Sequence, residues 1–299
     1  MNRAAFAEWH AEPYWPIMLI GAALGLIFGI LLVRAMPRPS GEESEFDAAL
    51  ARKEFRPFYQ PIFDIRTGEI VGCETLARHI RADGSIALPM SFIPVAERTG
   101  RMAPMTWQVF GAALEELKPL LKRNKYFKVS INIAPRHLMS EGFVDAFRAH
   151  VREARVSNRQ IVLEVTEREE LPDLDAAAAT VANLRDLGFH VAIDDVGIGH
   201  SGLSQIQRLG ASIIKIDKFF VDRIGADPTA GAIIEMLVRL AAELKMTVVA
   251  EGIETHEQAA ALSACGVEQG QGYLVAPPLP FGKFIALLDR PPARAVDAA

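Results

Sequence analysis

The chain has 299 residues, of which half are hydrophobic and 23% are charged, and its formal net charge is −5. This length accommodates one (β/α)8 barrel of about 250 residues together with a further segment. The acidic balance argues against binding of a nucleic acid duplex, because such surfaces are normally basic. Cys73 and Cys265 belong to no CxxC motif and no Cys/His cluster, so the sequence predicts neither a zinc site nor a disulfide framework.

The first 44 residues are predicted to form a membrane anchor and a linker. We expect a short extracytoplasmic segment at 1–13, a transmembrane helix at 14–33 and a linker at 34–44, which is rich in proline and charge. Ile17–Val33 carries no charge and spans about 25 Å as a helix, near the lower limit for crossing a bilayer. A signal peptide and a buried helix are the alternatives. Because Arg34 interrupts where a cleavage site would stand, the pattern favours a retained anchor.

The residues around this span predict its orientation and a pairing face. Arg34 and Arg38 follow the span and only Arg3 precedes it, so the positive-inside rule places the rest of the chain in the cytoplasm. Glycine recurs at every fourth residue, at Gly21, Gly25 and Gly29. Such a repeated GxxxG pattern lets two membrane helices pack closely and predicts a dimer, although glycine is also simply common in membrane helices.

From residue 55 onward, short runs rich in Val and Ile alternate with helical patterns, which is typical of a parallel sheet. Eight strands are predicted: Phe55–Asp64, Glu69–Ala77, Phe127–Asn132, Ile161–Thr166, Phe189–Asp194, Ser212–Asp217, Thr247–Glu251 and Glu268–Gln271. The clearest helices are Thr106–Leu121 and Asp175–Leu187, the second followed by Gly188 at the C-cap position.

The link between the first two strands is too short for a parallel connection. Only Arg66-Thr67-Gly68 joins them, which allows an antiparallel hairpin and forbids a parallel crossover. We therefore predict an α/β fold: a TIM-like (β/α)8 barrel at 45–290 with one irregular antiparallel strand, preceded by one transmembrane helix. The tail at 291–299 is expected to be disordered.

Acidic and amide residues stand where most of these apolar runs stop. They are Glu74, Asn132, Glu164, Asp194, Asp195, Asp217 and Glu251. Every strand of such a barrel brings its C-terminal end to the same face, so these side chains should share one rim. Like charges repel, and such a group persists mainly with cations between its members. A single carboxylate would instead be expected to cap a strand end or form a surface salt bridge.

Nine short motifs occur along the chain: Tyr59-Gln60-Pro61-Ile62, Glu74-Thr75-Leu76-Ala77-Arg78, Phe92-Ile93-Pro94-Val95-Ala96-Glu97, Asn132-Ile133-Ala134, Glu164-Val165-Thr166-Glu167, Asp194-Asp195-Val196-Gly197, Lys215-Ile216-Asp217, Ala250-Glu251-Gly252-Ile253-Glu254 and Gln271-Gly272-Tyr273. In this order they resemble the EAL domain, a bacterial phosphodiesterase that opens cyclic di-GMP to linear pGpG, and the resemblance covers about 45–288. Three positions depart from the family pattern, at Thr75, Ala134 and Val196, and none of them replaces a metal ligand of the family.

The resemblance implies two Mg²⁺ or Mn²⁺ ions at the rim, with Ca²⁺ inhibitory. Glu74, Asn132, Glu164 and Asp194 would hold one ion. Asp194 would bridge to the second ion, held also by Asp195, and Glu251 would bind near the pair. Oxygen ligands of this kind suit both metals.

The resemblance also implies the remaining roles. The catalytic residues would be Glu74, Lys215 and Glu251. The substrate-binding residues would be Gln60, Leu76, Arg78, Asp217 and Gln271. Glu167, Gly197 and Gly199 would couple the loop after the paired aspartates to a homodimer contact. The alternation around Lys215 turns its side chain inward, where the alternative role is a purely structural ion pair.

These expectations combine into a cyclic di-GMP phosphodiesterase held at the bacterial inner membrane by one span. Two alternatives remain open. The first is a catalytically silent receptor that only binds cyclic di-GMP, and the second is a barrel metalloenzyme acting on another phosphoester.

Overall fold

The computed structural model describes residues 41–166, 171, 173–197 and 203–291. Nine strands lie within these residues: β1 (Phe55–Asp64), β2 (Ile70–Ile80), β3 (Ile86–Ala87), β4 (Lys128–Asn132), β5 (Ile161–Thr166), β6 (His190–Val196), β7 (Ile213–Ile216), β8 (Thr247–Ala250) and β9 (Gln269–Gln271). Eight of them close into a barrel, because β1 pairs with both β9 and β2, and β3 pairs with the far end of β2.

Strand direction around the barrel confirms the predicted antiparallel strand. The pairs from β2 through β4, β5, β6, β7 and β8 to β9 are all parallel, whereas β1 is antiparallel to both of its neighbours. The hairpin between β1 and β2 is fixed by Asp64, whose carboxylate accepts hydrogen bonds from the backbone of Arg66 and Thr67 at 3.1 and 2.8 Å. Gly68 closes the turn with φ of 72°, a conformation that favours glycine.

Helices connect most strands and surround the barrel. They are α1 (Gly41–Ala51), α2 (Pro89–Arg98), α3 (Met102–Arg123), α4 (Pro135–Leu138), α5 (Phe143–Ala154), α6 (Leu174–Asp186), α7 (Leu203–Leu209), α8 (Lys218–Val221), α9 (Pro228–Glu243), α10 (His256–Ala264) and α11 (Phe281–Leu288). Side-chain caps fix the starts of α6, α8, α9 and α10, and at α10 Thr255 and Gln258 form a capping box. Gly188 follows α6 with φ of 91°, as predicted.

Two apolar clusters fill the fold. The larger lies between the barrel and its helices and includes rings such as Phe110 and Phe147, which stack with centroids 4.7 Å apart. The smaller lies inside the barrel and consists of Ile62, Val162, Ala192, Ile213 and Val249. The inside of the barrel is therefore mostly apolar below the rim and polar at the rim.

Several predicted boundaries were wrong. The second strand, predicted to end at Ala77, continues to Ile80, because its outer half pairs with β1 and β3. Strand β6 continues two residues past Asp194, through a register shift against β7. The long helix predicted at Thr106–Leu121 begins at Met102 and ends at Arg123. Residues 41–44, predicted as the end of a linker, form the first turn of α1.

The predicted N-terminal segment and transmembrane helix at 14–33 lie outside the described residues, as does the tail after residue 291. Over the ranges between residues 41 and 291 that the structure describes, no helix is both long enough and apolar enough to cross a membrane.

Candidate active site

The carboxyl ends of the parallel strands bring the predicted acids together, as the strand pattern indicated. Asn132 is the last residue of β4, and Glu164 and Asp194 lie near the ends of β5 and β6. Glu251 directly follows β8. Glu74 joins them from the middle of β2, where it pairs in register with Ser130 of β4.

Lys215 lies at the centre of this group. Its side chain is 1% exposed, and its Nζ contacts four carboxylates. The distances are 3.2 Å to Glu74 Oε2, 2.7 Å to Glu164 Oε2, 3.1 Å to Asp194 Oδ1 and 2.5 Å to Glu251 Oε1. The prediction that this lysine points into the barrel is confirmed, and its single charge links carboxylates from four different strands or strand ends.

The pKa values of these groups follow from burial and mutual charge. Although burial disfavours its ammonium form, the surrounding carboxylates hold the pKa of Lys215 well above its usual value. Burial, followed by repulsion from neighbouring acids, raises the pKa of Glu164 and of Glu251 well above the usual range. Burial acts on Glu74 too, but the charge of Lys215 and hydrogen bonds from two amides keep its pKa below its usual value. The site therefore stabilises one carboxylate through one ammonium and leaves others in need of a cation.

Two amide side chains hold the carboxylates in place. Asn132 donates from Nδ2 to Glu74 Oε1 at 2.7 Å, which leaves its amide oxygen as the atom that can ligate a cation. Gln271 donates from Nε2 to Glu74 Oε2 at 2.7 Å and to Glu251 Oε1 at 3.0 Å. Within the described part of the chain, the buried Oε1 of Gln271 has no hydrogen-bond partner. A buried oxygen of this kind is an acceptor prepared for a donor on a ligand or water.

The paired aspartates owe their position to a bulge in β6. Successive residues of a regular strand point to opposite faces. The register of β6 against β7 shifts between Ile193 and Val196, and Asp195 has φ of 60°. As a result, single oxygens of Asp194, Asp195 and Glu251 lie within 4.8 Å of one another.

The oxygen donors at the rim suit a hard divalent cation. Carboxylate and amide oxygens are the ligands that Mg²⁺ and Mn²⁺ prefer. The tightest group is Asp194, Asp195 and Glu251, and Lys215 connects it to Glu74 and Glu164. The predicted ligand set is therefore brought into one cluster.

The predicted substrate-binding residues surround this cluster on β1 and β2. Gln60 is half-buried and stands opposite Glu74 in the β1–β2 register. Leu76 and Arg78 are half-buried and alternate along the same face of β2 as Glu74. The Arg78 guanidinium donates to the backbone oxygen of Ala77 at 2.8 Å, which fixes its direction.

Asp217 has a structural contact that the motif did not reveal. It is 6% exposed and stands at the N-cap of α8, where its carboxylate accepts a hydrogen bond from Phe219 N at 2.6 Å. An aspartate immediately before a helical segment is an ordinary capping signal.

Three residues were predicted to couple the loop after Asp194-Asp195 to a homodimer contact, and the structure describes only one of them. Glu167 and Gly199 lie outside the described residues. Gly197 has φ of 105°, and a Cβ there would lie 2.5 Å from the Phe220 ring, so close packing as well as conformation requires glycine.

Two residues near the site had no predicted role. Thr166 Oγ1 donates to Asp195 Oδ2 at 3.4 Å, at the end of β5. Tyr273 is 64% exposed and lies close enough to Arg78 to oppose the lowering of the Arg78 pKa by burial. Both residues belong to motifs that resemble the EAL domain, and this is the feature of the sequence from which a role could have been predicted.

Comparison with known proteins identifies the family. A sequence model of the EAL domain matches residues 43–278, and the chain belongs to the EAL domain family. The probable cyclic di-GMP phosphodiesterase PdeB of Escherichia coli is 36% identical over 278 residues, which cover 93% of this chain and 52% of the relative. The cyclic di-GMP phosphodiesterase PdeL of Escherichia coli is 36% identical over 241 residues, covering 80% of this chain and 66% of the relative. The chain spans about half the length of curated relatives such as PdeB.

Solved structures agree with this assignment. The EAL enzyme Bd1971, in a form bound to cAMP and cyclic di-GMP, superposes with a TM-score of 0.78 at 30% identity, covering 91% of this chain and 76% of the other. The PaMucR phosphodiesterase in complex with c-di-GMP gives a TM-score of 0.76 at 29% identity, covering 82% of this chain and all of the other.

Proposed function

We propose that this protein hydrolyses cyclic di-GMP to linear pGpG with the help of divalent cations. The observation that carries the proposal is the cluster at the rim, where one buried ammonium contacts four carboxylates and a fifth, Asp195, lies beside them. The choice of reaction is supported by the names of two relatives, the cyclic di-GMP phosphodiesterase PdeL and the probable cyclic di-GMP phosphodiesterase PdeB.

The charge of the cluster supports two cations of charge +2. With all five carboxylates ionised, the single ammonium leaves four negative charges, which two divalent ions would neutralise. Mg²⁺ and Mn²⁺ are the proposed ions, because the donors are all oxygen. When bound, they would neutralise the phosphodiester and supply an activated water. Ca²⁺ is proposed to inhibit, since it takes more ligands at longer distances.

The side chains of the chain itself would orient the reacting groups. Lys215 has three N–H donors shared among four carboxylates and can direct one of them to a water or a phosphate oxygen. Gln271 holds Glu74 and Glu251 at a fixed separation and offers its Oε1 as an acceptor. Arg78 presents a planar guanidinium that suits a phosphate oxygen.

Substrate contacts are proposed on the same face of the barrel as the carboxylate cluster. Gln60 and Leu76 flank Glu74, and the exposed ring of Tyr273 stands near Arg78, where a guanine base can stack. Asp217 is proposed to act mainly by holding α8, through its contact with Phe219 N.

We further propose that residues 14–33 anchor the protein in the inner membrane with the barrel on the cytoplasmic side, and that it forms a homodimer. The uncharged run Ile17–Val33 and the glycine spacing in it support this part. A reporter fused after residue 299 tests the orientation: we expect it in the cytoplasm, and export to the periplasm would contradict the proposal.

Product analysis tests the reaction. Full-length protein incubated with cyclic di-GMP and Mg²⁺ should release pGpG, and Glu74→Gln should lose most of this activity because Glu74 contacts both Lys215 and Gln271. Glu243→Gln is the matched control, since Glu243 is an exposed residue of α9. Binding of cyclic di-GMP without product would contradict hydrolysis and favour a receptor. Product formed equally from unrelated phosphodiesters would favour the broader phosphoester enzyme.

A further inference from the structure

The barrel interior contains a cavity below the catalytic rim. TIM-like barrels usually fill this region with layers of bulky branched side chains. Here four branched residues, Ile62, Val162, Ile213 and Val249, share the layer with three small ones, Gly72, Ser130 and Ala192. The small residues leave a cavity of about 260 Å³ toward the amino-terminal ends of the strands.

One of the small residues cannot be larger, so the cavity is built into the pairing of the strands. A Cβ on Gly72 would lie 2.8 Å from the backbone oxygen of Lys128, which is its partner in the β2–β4 ladder. A side chain at this position would separate the two strands and, with them, Glu74 and Asn132 at the rim.

The mouth of the cavity carries a cation. Lys128, the first residue of β4, lines the cavity and is half-buried, and burial lowers its pKa. No side chain in the described part of the chain forms an ion pair or hydrogen bond with its ammonium. His190 at the start of β6 is neutral near pH 7, because burial and the nearby charge of Lys128 lower its pKa to about 4, and it therefore adds no second positive charge and cannot pair with Lys128. A half-buried charge without a partner is unfavourable, and an anion at this mouth would stabilise it.

The inner end of the cavity is closed. Lys215 and Glu164 form its inner wall, and both are 1% exposed. The Nζ of Lys215 lies 2.7 Å from Oε2 of Glu164. A molecule in the cavity would therefore enter from the amino-terminal mouth, opposite the face where the metal ligands stand.

We propose that this mouth binds a small apolar monocarboxylate, with its hydrocarbon part among Ile62, Val162, Ile213 and Val249 and its carboxylate on Lys128. The volume corresponds to roughly nine non-hydrogen atoms, at about 30 Å³ each by comparison with liquid water. Benzoate has this size, a cyclic dinucleotide is far too large, and a neutral hydrocarbon would leave Lys128 unpaired.

Titration calorimetry of the full-length protein with sodium benzoate tests the proposal, with benzyl alcohol and benzylammonium as matched probes. Benzoate should bind saturably, at least about fivefold more tightly than benzyl alcohol, because a hydrogen bond to a charged group is stronger than one between neutral groups. Lys128→Met should remove this preference, and the exposed neighbour change Lys125→Met should keep it.

Two further measurements locate the ligand. Benzoate should give nuclear Overhauser contacts to methyl groups of Val162, Ile213 and Val249, and Ala192→Val should weaken its binding by reducing the cavity. If Ala192→Val fails to fold, the methyl contacts and Lys128→Met still decide the question. Saturating cyclic di-GMP with Ca²⁺, the ion proposed to inhibit hydrolysis, should leave benzoate bound. The proposal is wrong if benzoate does not saturate, if cyclic di-GMP displaces it, or if Lys128→Met binds it as well as the parent does.

Discussion

Replacement of Lys215 by methionine should make the stability of the barrel depend on divalent metal. Methionine keeps most of the apolar volume but removes the ammonium that lies 2.5–3.2 Å from four carboxylates. Removing one partner of a buried ion pair destabilises a protein by about 3–5 kcal/mol, because the remaining charge is left without compensation. For a domain of this size, that corresponds to a fall in Tm of roughly 6–20 °C.

A divalent cation should restore much of this loss. A ligand that binds only the folded state at 100 times its Kd contributes about 2.7 kcal/mol, and a cation among the same carboxylates is such a ligand. Thermal unfolding in EDTA and in excess Mg²⁺ measures both effects, and the gain on adding Mg²⁺ should be larger for Lys215→Met than for the parent.

The control for this experiment is Lys283→Met, which changes an exposed lysine of α11 and should leave Tm unchanged in both buffers. An unchanged Tm for Lys215→Met in EDTA would show that the ammonium does not hold the carboxylates together. A low Tm that Mg²⁺ does not raise would refute the assignment of these carboxylates as metal ligands.

Four further outcomes are expected. Asp194→Asn, which removes charge from the proposed bridging ligand, should lower turnover by at least about 100-fold and weaken metal binding measured by calorimetry; an active variant would contradict the two-metal arrangement. Ca²⁺ added to the Mg²⁺-supported reaction should inhibit release of pGpG, and equal rates with either ion would contradict the proposed geometry. Gly272→Ala should lower the free energy of unfolding by about 1–3 kcal/mol or more, since its Cβ would lie 2.0 Å from Ile253 O, whereas Gly282→Ala, with open space around it, should not. Gly25→Ile should reduce crosslinking of the full-length protein in membranes, and undiminished crosslinking would assign the glycines to lipid packing alone.

The barrel and its rim could be predicted from the sequence because both depend on local patterns. Short Val- and Ile-rich runs separated by helical segments predict parallel strands, and a three-residue link identifies the one antiparallel pair. The acids that follow these runs, such as Glu164 and Asp194, then have to meet at one face. The family prediction is confirmed for the same reason, since the motifs are these strand ends in a fixed order.

Features that depend on contacts between strands could not be predicted. The sequence Asp194-Asp195 gives no sign of the register shift that brings both carboxylates to the rim. Strand β2 was predicted too short, because its outer half is stabilised by pairing with β1 rather than by its own apolar pattern. Asp217 shows a capping signal in the sequence, but its motif predicts substrate binding instead.

The choice of lysine at position 215 follows from the number of carboxylates around it. Its one nitrogen has three N–H donors, yet it lies within 3.2 Å of carboxylates from four residues, so the four contacts cannot each have an N–H donor of their own. Arginine would distribute its charge over a planar fork and could not place a single atom within reach of all four. Cations binding among these carboxylates would take over part of this charge and release N–H donors of Lys215 toward a water or phosphate oxygen. The residue that holds the acidic rim together is therefore the one that we propose to orient the reacting groups when cations are bound.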